Sequence, residues 1–295
     1  MRKNITLALI GVFLIVIAYL AITNDPSQKT SGTGSGKIAV IEVNGAITGG
    51  AGASFTSEIA SGDNIMRAIQ KAKDRNDIKA VILRINSPGG TAGASQEIGI
   101  ELDKLKETGK PIVTSMGDMC ASGGYWIACS SDYIVANGTT ITGSIGVIMQ
   151  LANLEGLYEK LGIKPEVIKS GQFKDIGSAN REMTAEEHEL LQELIDDSYE
   201  QFLEQVRQGR KDKISETELI RIADGRIVSG RQAYELGLID HIGNYYDAIK
   251  KAEEMAGLPE GAEVEILNKT NYLDMFLLNT SMKNILFDNN IWQIN

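Results

Sequence analysis

IKAVILRIN, residues 78 to 86, is an almost unbroken apolar run, and SPGG, residues 87 to 90, follows it directly. A short run of this kind is typical of a strand buried on both faces, as the strands of a parallel sheet are. Helical spacing precedes it in GDNIMRAIQKAKDRND (62–77), and AGASQEIGIELDKLKETG (92–109) follows it and ends at a glycine, as helices often do. Strands that alternate with helices predict an α/β fold with a largely parallel sheet.

Glycine-rich loops follow several of the expected strands. SPGG, ASGG, TGSIG and SGQFKDIGS all stand at or near such strand ends, where folds of this class usually carry their functional residues. We therefore expect the site at this set of loops. The further strands are expected at IAVIEVNG (38–45), PIVTSM (111–116), DYIVAN (132–137), TTITGSIGVIM (139–149) and PEVIKSG (165–171).

A long amphipathic helix is predicted to begin after Thr184, because Thr184 and Glu187 have the spacing of a capping box. Its apolar face indicates either core packing or a subunit contact. That face comprises Leu190, Leu191, Leu194, Ile195, Phe202, Leu203 and Val206.

The N-terminal residues differ in character from the rest of the chain. Arg2 and Lys3 precede ITLALIGVFLIVIAYLAI (5–22), which is about as long as the roughly 17–25 residues that a spanning helix needs. The run ends LAITND, a poor match to a signal-peptide cleavage site, so we favour an uncleaved membrane anchor over residues 1–23. The two basic residues predict a cytoplasmic N-terminus and a domain on the extracytoplasmic side of the cell membrane.

The predicted organisation continues with a flexible linker at 24–36, a catalytic domain at 37–270 and an apolar-rich tail at 271–295. The net charge of −10 and the absence of a basic stripe argue against nucleic acid as a partner. No metal or cofactor is expected, because two isolated cysteines and two histidines form no ligand pattern.

Ser122 in ASGG is the candidate nucleophile, because a serine at a tight turn into a helix is accessible to a substrate. A serine needs a base, and the chain has only two histidines. His188 lies in the charged stretch EEHEL, which is typical of a solvated helix face. His241 follows Asp240, which makes a Ser-His-Asp triad conceivable, but adjacency in sequence does not give triad geometry.

Lysine is the other base available to a serine. A lysine acts as a base only when neutral, and burial in an apolar site lowers the pKa of an amine. Lys174 in KSGQFKDIGS has a small-residue loop around it and the apolar neighbours Phe173 and Ile176. Asp175 is an objection, because an adjacent carboxylate favours the charged lysine unless it points elsewhere. Cys120 has no histidine near it in sequence and is a weak nucleophile candidate.

Five stretches of the chain together match the motifs of one known family. They are VILRINSPGG (81–90), MGDMCASGGYWIA (116–128), TGSIGVIM (142–149), IKSGQFKDIGS (168–178) and GRIVSGRQAYELGLIDHIG (225–243). In these stretches the chain resembles the signal peptide peptidase A family in its short, membrane-anchored form, which uses a Ser-Lys dyad. One departure is Cys120, where alanine or another small residue is expected.

The resemblance implies a role for each matched residue. Ser122 would be the nucleophile, Lys174 the general base, and Ser144 the hydroxyl that holds the lysine amine. The backbone N–H groups of Gly89 and Ser122 would form the oxyanion hole, with Gly90 as the alternative to Gly89.

The resemblance also implies a fold and a function. The fold would be the ClpP/crotonase-like superfold of repeated ββα units, in a homo-oligomeric ring or dome whose neighbouring subunits can share a dyad. The substrates would be remnant signal peptides and other short, unfolded, hydrophobic peptides. Three alternatives stay open: a Ser-Lys peptidase of the same superfold acting on a specific membrane protein, a catalytically silent peptide-binding scaffold, and a coenzyme A thioester enzyme.

Overall fold

The computed structural model describes residues 36–50 and 59–269. In chain order, the described strands are β1 (Lys37–Asn44), β2 (Ala46–Thr48), β3 (Ile59–Ser61), β4 (Ile78–Ser87), β5 (Ile112–Ala121), β6 (Tyr133–Ala136), β7 (Ile141–Gly143), β8 (Ile227–Ser229), β9 (His241–Ile242) and β10 (Glu263–Ile266). The described helices are α1 (Gly62–Asp74), α2 (Ala92–Lys106), α3 (Gly123–Ala128), α4 (Glu155–Leu161), α5 (Ala185–Gly209), α6 (Glu216–Ile222), α7 (Gly230–Glu235) and α8 (Tyr245–Ala256).

The apolar run at 78–86 forms β4, which lies inside an eight-stranded sheet with β1 and β5 as its neighbours. The order across the sheet is β10-β1-β4-β5-β6-β9, and every pair along this path is parallel. β7 pairs in parallel with the last residues of β5, and β8 pairs antiparallel with β7. The prediction of a mixed α/β fold with a largely parallel sheet is confirmed.

Helices cover both faces of the sheet, which explains why β4 has no polar alternation. Leu83 and Ile85 pack in the larger core beneath α1 and α2, whereas Ile82 packs in a second core with Ala248 and Ala252 of α8. Because neighbouring residues of one strand point to opposite faces, both sets of positions must be apolar.

β5 carries extra residues relative to β4 where the two strands approach the site. Ile85 pairs with Met116, but Ser87 pairs with Cys120, so two steps along β4 correspond to four along β5. The bulge is held by Asn86, whose Oδ1 accepts a hydrogen bond from the Met119 N–H at 3.1 Å. It lengthens β5 to Ala121 and brings the end of this strand beside β7.

Two expectations about secondary structure fail around residue 150. Residues 165–171 form no strand, and β7 ends at Gly143 instead of continuing towards Met149. The prediction of a strand at PEVIKSG is wrong because strands need partners to pair with, and this segment is exposed. Ile168 is 96% exposed and Val167 is 49% exposed.

The long helix α5 begins where the capping box predicts, with Thr184 as its N-cap. Its C-terminal half packs into the core through Phe202, Leu203 and Val206. Its N-terminal half does not, and Leu194 is 54% exposed. The apolar face therefore divides into a core-packing half and an exposed half.

The predicted anchor at 1–23, the tail at 271–295 and the linker except Gly36 lie outside the described residues. Within residues 36–50 and 59–269, no helix is long and apolar enough to cross a membrane. The proposed domain boundaries at 37 and 270 stay predictions.

Candidate active site

Ser122 occupies the corner between the end of β5 and the first turn of α3. Its backbone has φ 52° and ψ −123°, a conformation that glycine adopts readily and other residues rarely do. The residue is partly exposed, whereas the helix that follows it is buried. A strained serine between a strand and a helix is the arrangement that presents a nucleophilic hydroxyl in α/β-hydrolases.

Ser144 lies beside Ser122 because β7 pairs with the end of β5. Ala121 is paired with Gly143, and one residue further the Ser122 N–H donates to the Gly143 carbonyl at 2.9 Å. Ser144 also has a φ of 52°, and its N–H donates to Arg226 O at 2.8 Å. The structure therefore brings together two serines that are 22 positions apart in the sequence.

The SPGG loop lies directly against this corner. Gly89 has φ 107°, and a Cβ at this position would lie 2.7 Å from the Ser122 Cβ and 2.9 Å from the Gly123 nitrogen. The buried Ser87 fixes the loop, because its Oγ accepts a hydrogen bond from the Gly89 N–H at 3.1 Å. Only glycine combines this φ with so close an approach to the candidate nucleophile.

The strand β2 holds the loop from the other side. The Ile47 N–H donates to Gly89 O at 2.8 Å, and the Thr91 N–H donates to Ile47 O at 3.0 Å. A Cβ on Gly90 would lie only 1.8 Å from Ile47 O. The sequence did not indicate the roles of Ser87 and Ile47, although Ser87 stands in the SPGG motif itself.

Of the backbone N–H groups around Ser122, two donate hydrogen bonds within the described residues and two do not. The N–H groups of Gly89 and Ser122, the two predicted oxyanion donors, are bonded to Ser87 Oγ and Gly143 O in this conformation. The N–H groups of Gly90 and Gly123 have no hydrogen-bond acceptor among the described residues. Gly90 is the alternative that the sequence left open, and Gly123 starts α3, where first-turn N–H groups are unpaired.

Lys174 lies in an exposed turn, and its N–H donates to Gly171 O at 3.2 Å. Within the described residues, no hydrogen bond joins it to Ser122 or Ser144. The adjacent carboxylate of Asp175 is bound by Arg181 at 2.9 Å and Lys169 at 2.5 Å. These hydrogen bonds hold the pKa of Asp175 well below its usual range. The structure thus brings Ser122, Ser144 and the Gly89 loop together, and no hydrogen bond among the described residues links Lys174 to them.

The rival bases and nucleophiles do not fit the corner. The Asp240 side chain is only 7% exposed and is paired with Arg210 at 2.9 Å, so its carboxylate does not orient the exposed His241. His188 is exposed on α5. The thiol of Cys120 is fully buried, donates to Gly124 O, and has a pKa raised well above its usual range by burial. Burial therefore leaves this thiol an inert packing group.

Fold and corner together define an α/β protein with a strained serine between a parallel strand and a short helix, the arrangement of a serine hydrolase. The profile of peptidase family S49 matches residues 104–259, which is more than half of the chain. The chain belongs to this family, and its resemblance to the signal peptide peptidase A family is confirmed by its relatives.

Three relatives illustrate the likeness. The putative protease slr0021 of Synechocystis is 44% identical over 232 residues, covering 78% of this chain and 79% of that protein. The putative signal peptide peptidase SppA of Enterococcus faecium is 36% identical over 252 residues, covering 84% and 72%. Protease 4 of Haemophilus influenzae is 39% identical over 229 residues, covering 78% of this chain but only 36% of the longer protein. These relatives support a serine peptidase as the general class.

Proposed function

We propose that the protein is a membrane-anchored serine endopeptidase with Ser122 as nucleophile and Lys174 as general base. The observation that carries the proposal is the backbone of Ser122, held at φ 52° between β5 and α3 with the Gly89 loop against it. A folded chain retains such strain where the surrounding structure enforces it, and sites of this kind cluster at catalytic centres. The resemblance to the family supports the assignment of Lys174 as the base and of Ser144 as the hydroxyl that holds its amine.

In the proposed reaction, neutral Lys174 accepts the proton of the Ser122 hydroxyl, whose oxygen attacks the peptide carbonyl. The oxyanion is stabilised by backbone N–H groups, for which Gly90 and Gly123 are the unengaged candidates. The Lys174 ammonium then protonates the leaving amine, and water releases the acyl group from Ser122. Ser144, next to Ser122, holds the lysine amine by a hydrogen bond.

A second copy of the chain is the proposed route by which lysine and serine meet. Residues 148–168, which lead to the Lys174 turn, expose a set of apolar side chains that nothing in one subunit covers among the described residues. Together with the exposed half of α5, this surface favours a homo-oligomer, because an apolar surface of this extent is typical of an interface. The exposed side chains are Ile148, Met149, Leu151, Leu154, Leu157, Leu161, Ile163, Val167 and Ile168.

The proposed substrates are remnant signal peptides and other short, unfolded, hydrophobic segments. The apolar run at 5–22 supports this assignment, because an anchor would hold the site beside peptides that remain at the membrane. The proposed fold family is the ClpP/crotonase-like superfold, and the proposed location of the domain is the extracytoplasmic side.

The first experiment compares hydrolysis of a fluorogenic hydrophobic peptide by the full chain in detergent and by its Ser122→Ala and Lys174→Ala variants. Both variants should lose activity while they remain folded and assembled. Lys164→Ala, at another exposed lysine of the same region, is the matched control and should keep full activity. If Lys174→Ala retains activity, the base is another residue. A wild type inactive on every peptide would favour the silent scaffold, and activity only on one membrane protein would favour the specific-target alternative.

A mixing experiment tests the shared site. If one subunit supplies Ser122 and its neighbour supplies Lys174, co-assembly of equal amounts of the two inactive variants restores about a quarter of the sites, since each interface draws both partners at random. If a single subunit supplies both residues, the mixture stays inactive. Separately assembled variants mixed after purification serve as the control.

A further inference from the structure

Four charged side chains form a connected cluster next to Lys174. Lys169 Nζ contacts Asp175 Oδ1 at 2.5 Å, and the Arg181 guanidinium contacts the same carboxylate through Nη2 at 2.9 Å and Nε at 3.1 Å. Arg181 also donates from Nη1 to Glu187 Oε2 at 2.8 Å. One arginine therefore binds two carboxylates with its planar fork, a geometry that lysine cannot reproduce.

The cluster fastens the Lys174 turn to the start of α5. Glu187 is 2% exposed, and its carboxylate also accepts the Thr184 N–H at 3.0 Å as part of the capping box. The hydrogen bonds from Arg181 and Thr184 lower the pKa of Glu187 to about 2. The loop is thus anchored to a rigid element through a carboxylate that stays charged at neutral pH.

The charges of the cluster cancel. Lys169 and Arg181 contribute two positive charges, while Asp175 and Glu187 contribute two negative ones. Glu186 of α5 also faces the loop, and its exposed carboxylate accepts a hydrogen bond from Gln172 Nε2 at 2.8 Å. Without Arg181, the cluster would carry a net negative charge one residue away from Lys174.

We propose that Arg181 is a positioning residue that neutralises Asp175 and directs its carboxylate away from Lys174, so that the lysine can lose its proton and serve as the base. The inference rests on the proposed function, since it requires Lys174 to be the base. It also answers the objection that the sequence raised, because the adjacent carboxylate is committed to Arg181 and Lys169.

The test is the acid limb of the pH–rate profile, measured with the full chain on a fluorogenic peptide. Arg181→Met gives the cluster a net negative charge. This charge stabilises the Lys174 ammonium, so the acid limb of the profile should shift to higher pH. A unit charge about 7 Å away corresponds to roughly half a pH unit at the dielectric constant of bulk water and to roughly one and a half to two units at the lower effective value near a protein surface. Asp175→Asn leaves an excess positive charge and should shift the limb by a similar amount to lower pH.

Two further variants separate charge from structure. Arg181→Lys keeps the charge and should hold the limb near its wild-type position even if the maximal rate falls. Arg207→Met removes a different arginine of α5, which binds Glu200 of the same helix and Glu216 of α6. It matches the change in net charge and should leave the acid limb at its wild-type pH. A merely structural role for Arg181 would lower the rate at every pH without the two opposite shifts.

The outcomes separate the inference from the proposed function. If Lys174→Ala is inactive but neither Arg181→Met nor Asp175→Asn moves the limb, the inference is overturned and the proposed base stands. If Lys174→Ala stays active, the proposed base falls and the inference falls with it. Should Arg181→Met fail to fold because Glu187 is left without its partner, a shift to lower pH in Asp175→Asn still supports the inference, and no shift overturns it.

Discussion

Replacement of Ser122 by glycine should give a more stable protein than replacement by alanine. Both variants remove the hydroxyl, but only glycine tolerates φ 52° and ψ −123° without strain. Strain of this kind destabilises the alanine variant by about 1–3 kcal/mol. The greater conformational freedom of glycine in the unfolded chain destabilises the folded glycine variant by about 0.5–1 kcal/mol. The net advantage of Ser122→Gly over Ser122→Ala in the free energy of unfolding is therefore about 0.5–2 kcal/mol.

The assay is thermal unfolding of both full-chain variants in detergent, at one protein concentration so that assembly contributes equally. In a domain of this size, 1 kcal/mol corresponds to about 2–4 °C, so Ser122→Gly should unfold about 1–8 °C above Ser122→Ala. Neither variant should hydrolyse peptides, which ties the strain to the same residue as the proposed chemistry.

Ser198 provides the matched control. It lies inside α5, where its Oγ donates to Leu194 O, and in a helix alanine is more stable than glycine by about 1 kcal/mol. The order of the two variants should therefore be reversed there. If Ser122→Ala is as stable as Ser122→Gly, or more so, the corner stores no strain and the argument from backbone geometry to a catalytic serine is refuted.

Three other perturbations follow from the structure. Gly89→Ala should lower peptide hydrolysis by about 10²-fold or more, because its Cβ would meet the Ser122 Cβ at 2.7 Å, whereas Gly109→Ala, at a similar positive φ but in open space, should retain activity. Burial is the largest single effect on Asp240 and acts to raise its pKa, but the hydrogen bonds and charges of Arg210 and Lys213 together hold this pKa below its usual value. Asp240→Asn should therefore cost about 3–5 kcal/mol at pH 7. The cost should begin to shrink below about pH 4, where the unfolded chain takes up the proton, and should disappear below the depressed pKa of Asp240 in the folded protein. Urea unfolding at several pH values measures both, and a pH-independent difference would contradict the ion pair. Ile168→Asp, at a side chain that is 96% exposed, should reduce the assembly mass in sedimentation while leaving the unfolding temperature of the separated subunit unchanged, and an unaltered mass would remove this surface from the proposed interface.

Local sequence determined much of the fold. The apolar run at 78–86 required a strand with two covered faces, and β4 packs into two separate cores. Thr184 and Glu187 defined the start of α5 because capping depends on residues three positions apart. The turn at Ser122 could be read from small residues alone, since their backbone freedom is local.

Tertiary structure decided how those local features combine. The adjacency of Ser122 and Ser144 comes from the pairing of β5 with β7 after a bulge, and no local pattern specifies which strand pairs with which. The same holds for Ile47 against the Gly90 loop and for Arg181 against Asp175 and Glu187. The expected strand at 165–171 failed for the converse reason, because its sequence favours pairing but none of the described strands pairs with it. The sequence by itself determined the helices and strands described above and the turn at Ser122, because these depend on interactions between residues close together in the chain. Contacts between distant segments determined which N–H groups, hydroxyls and charges surround Ser122.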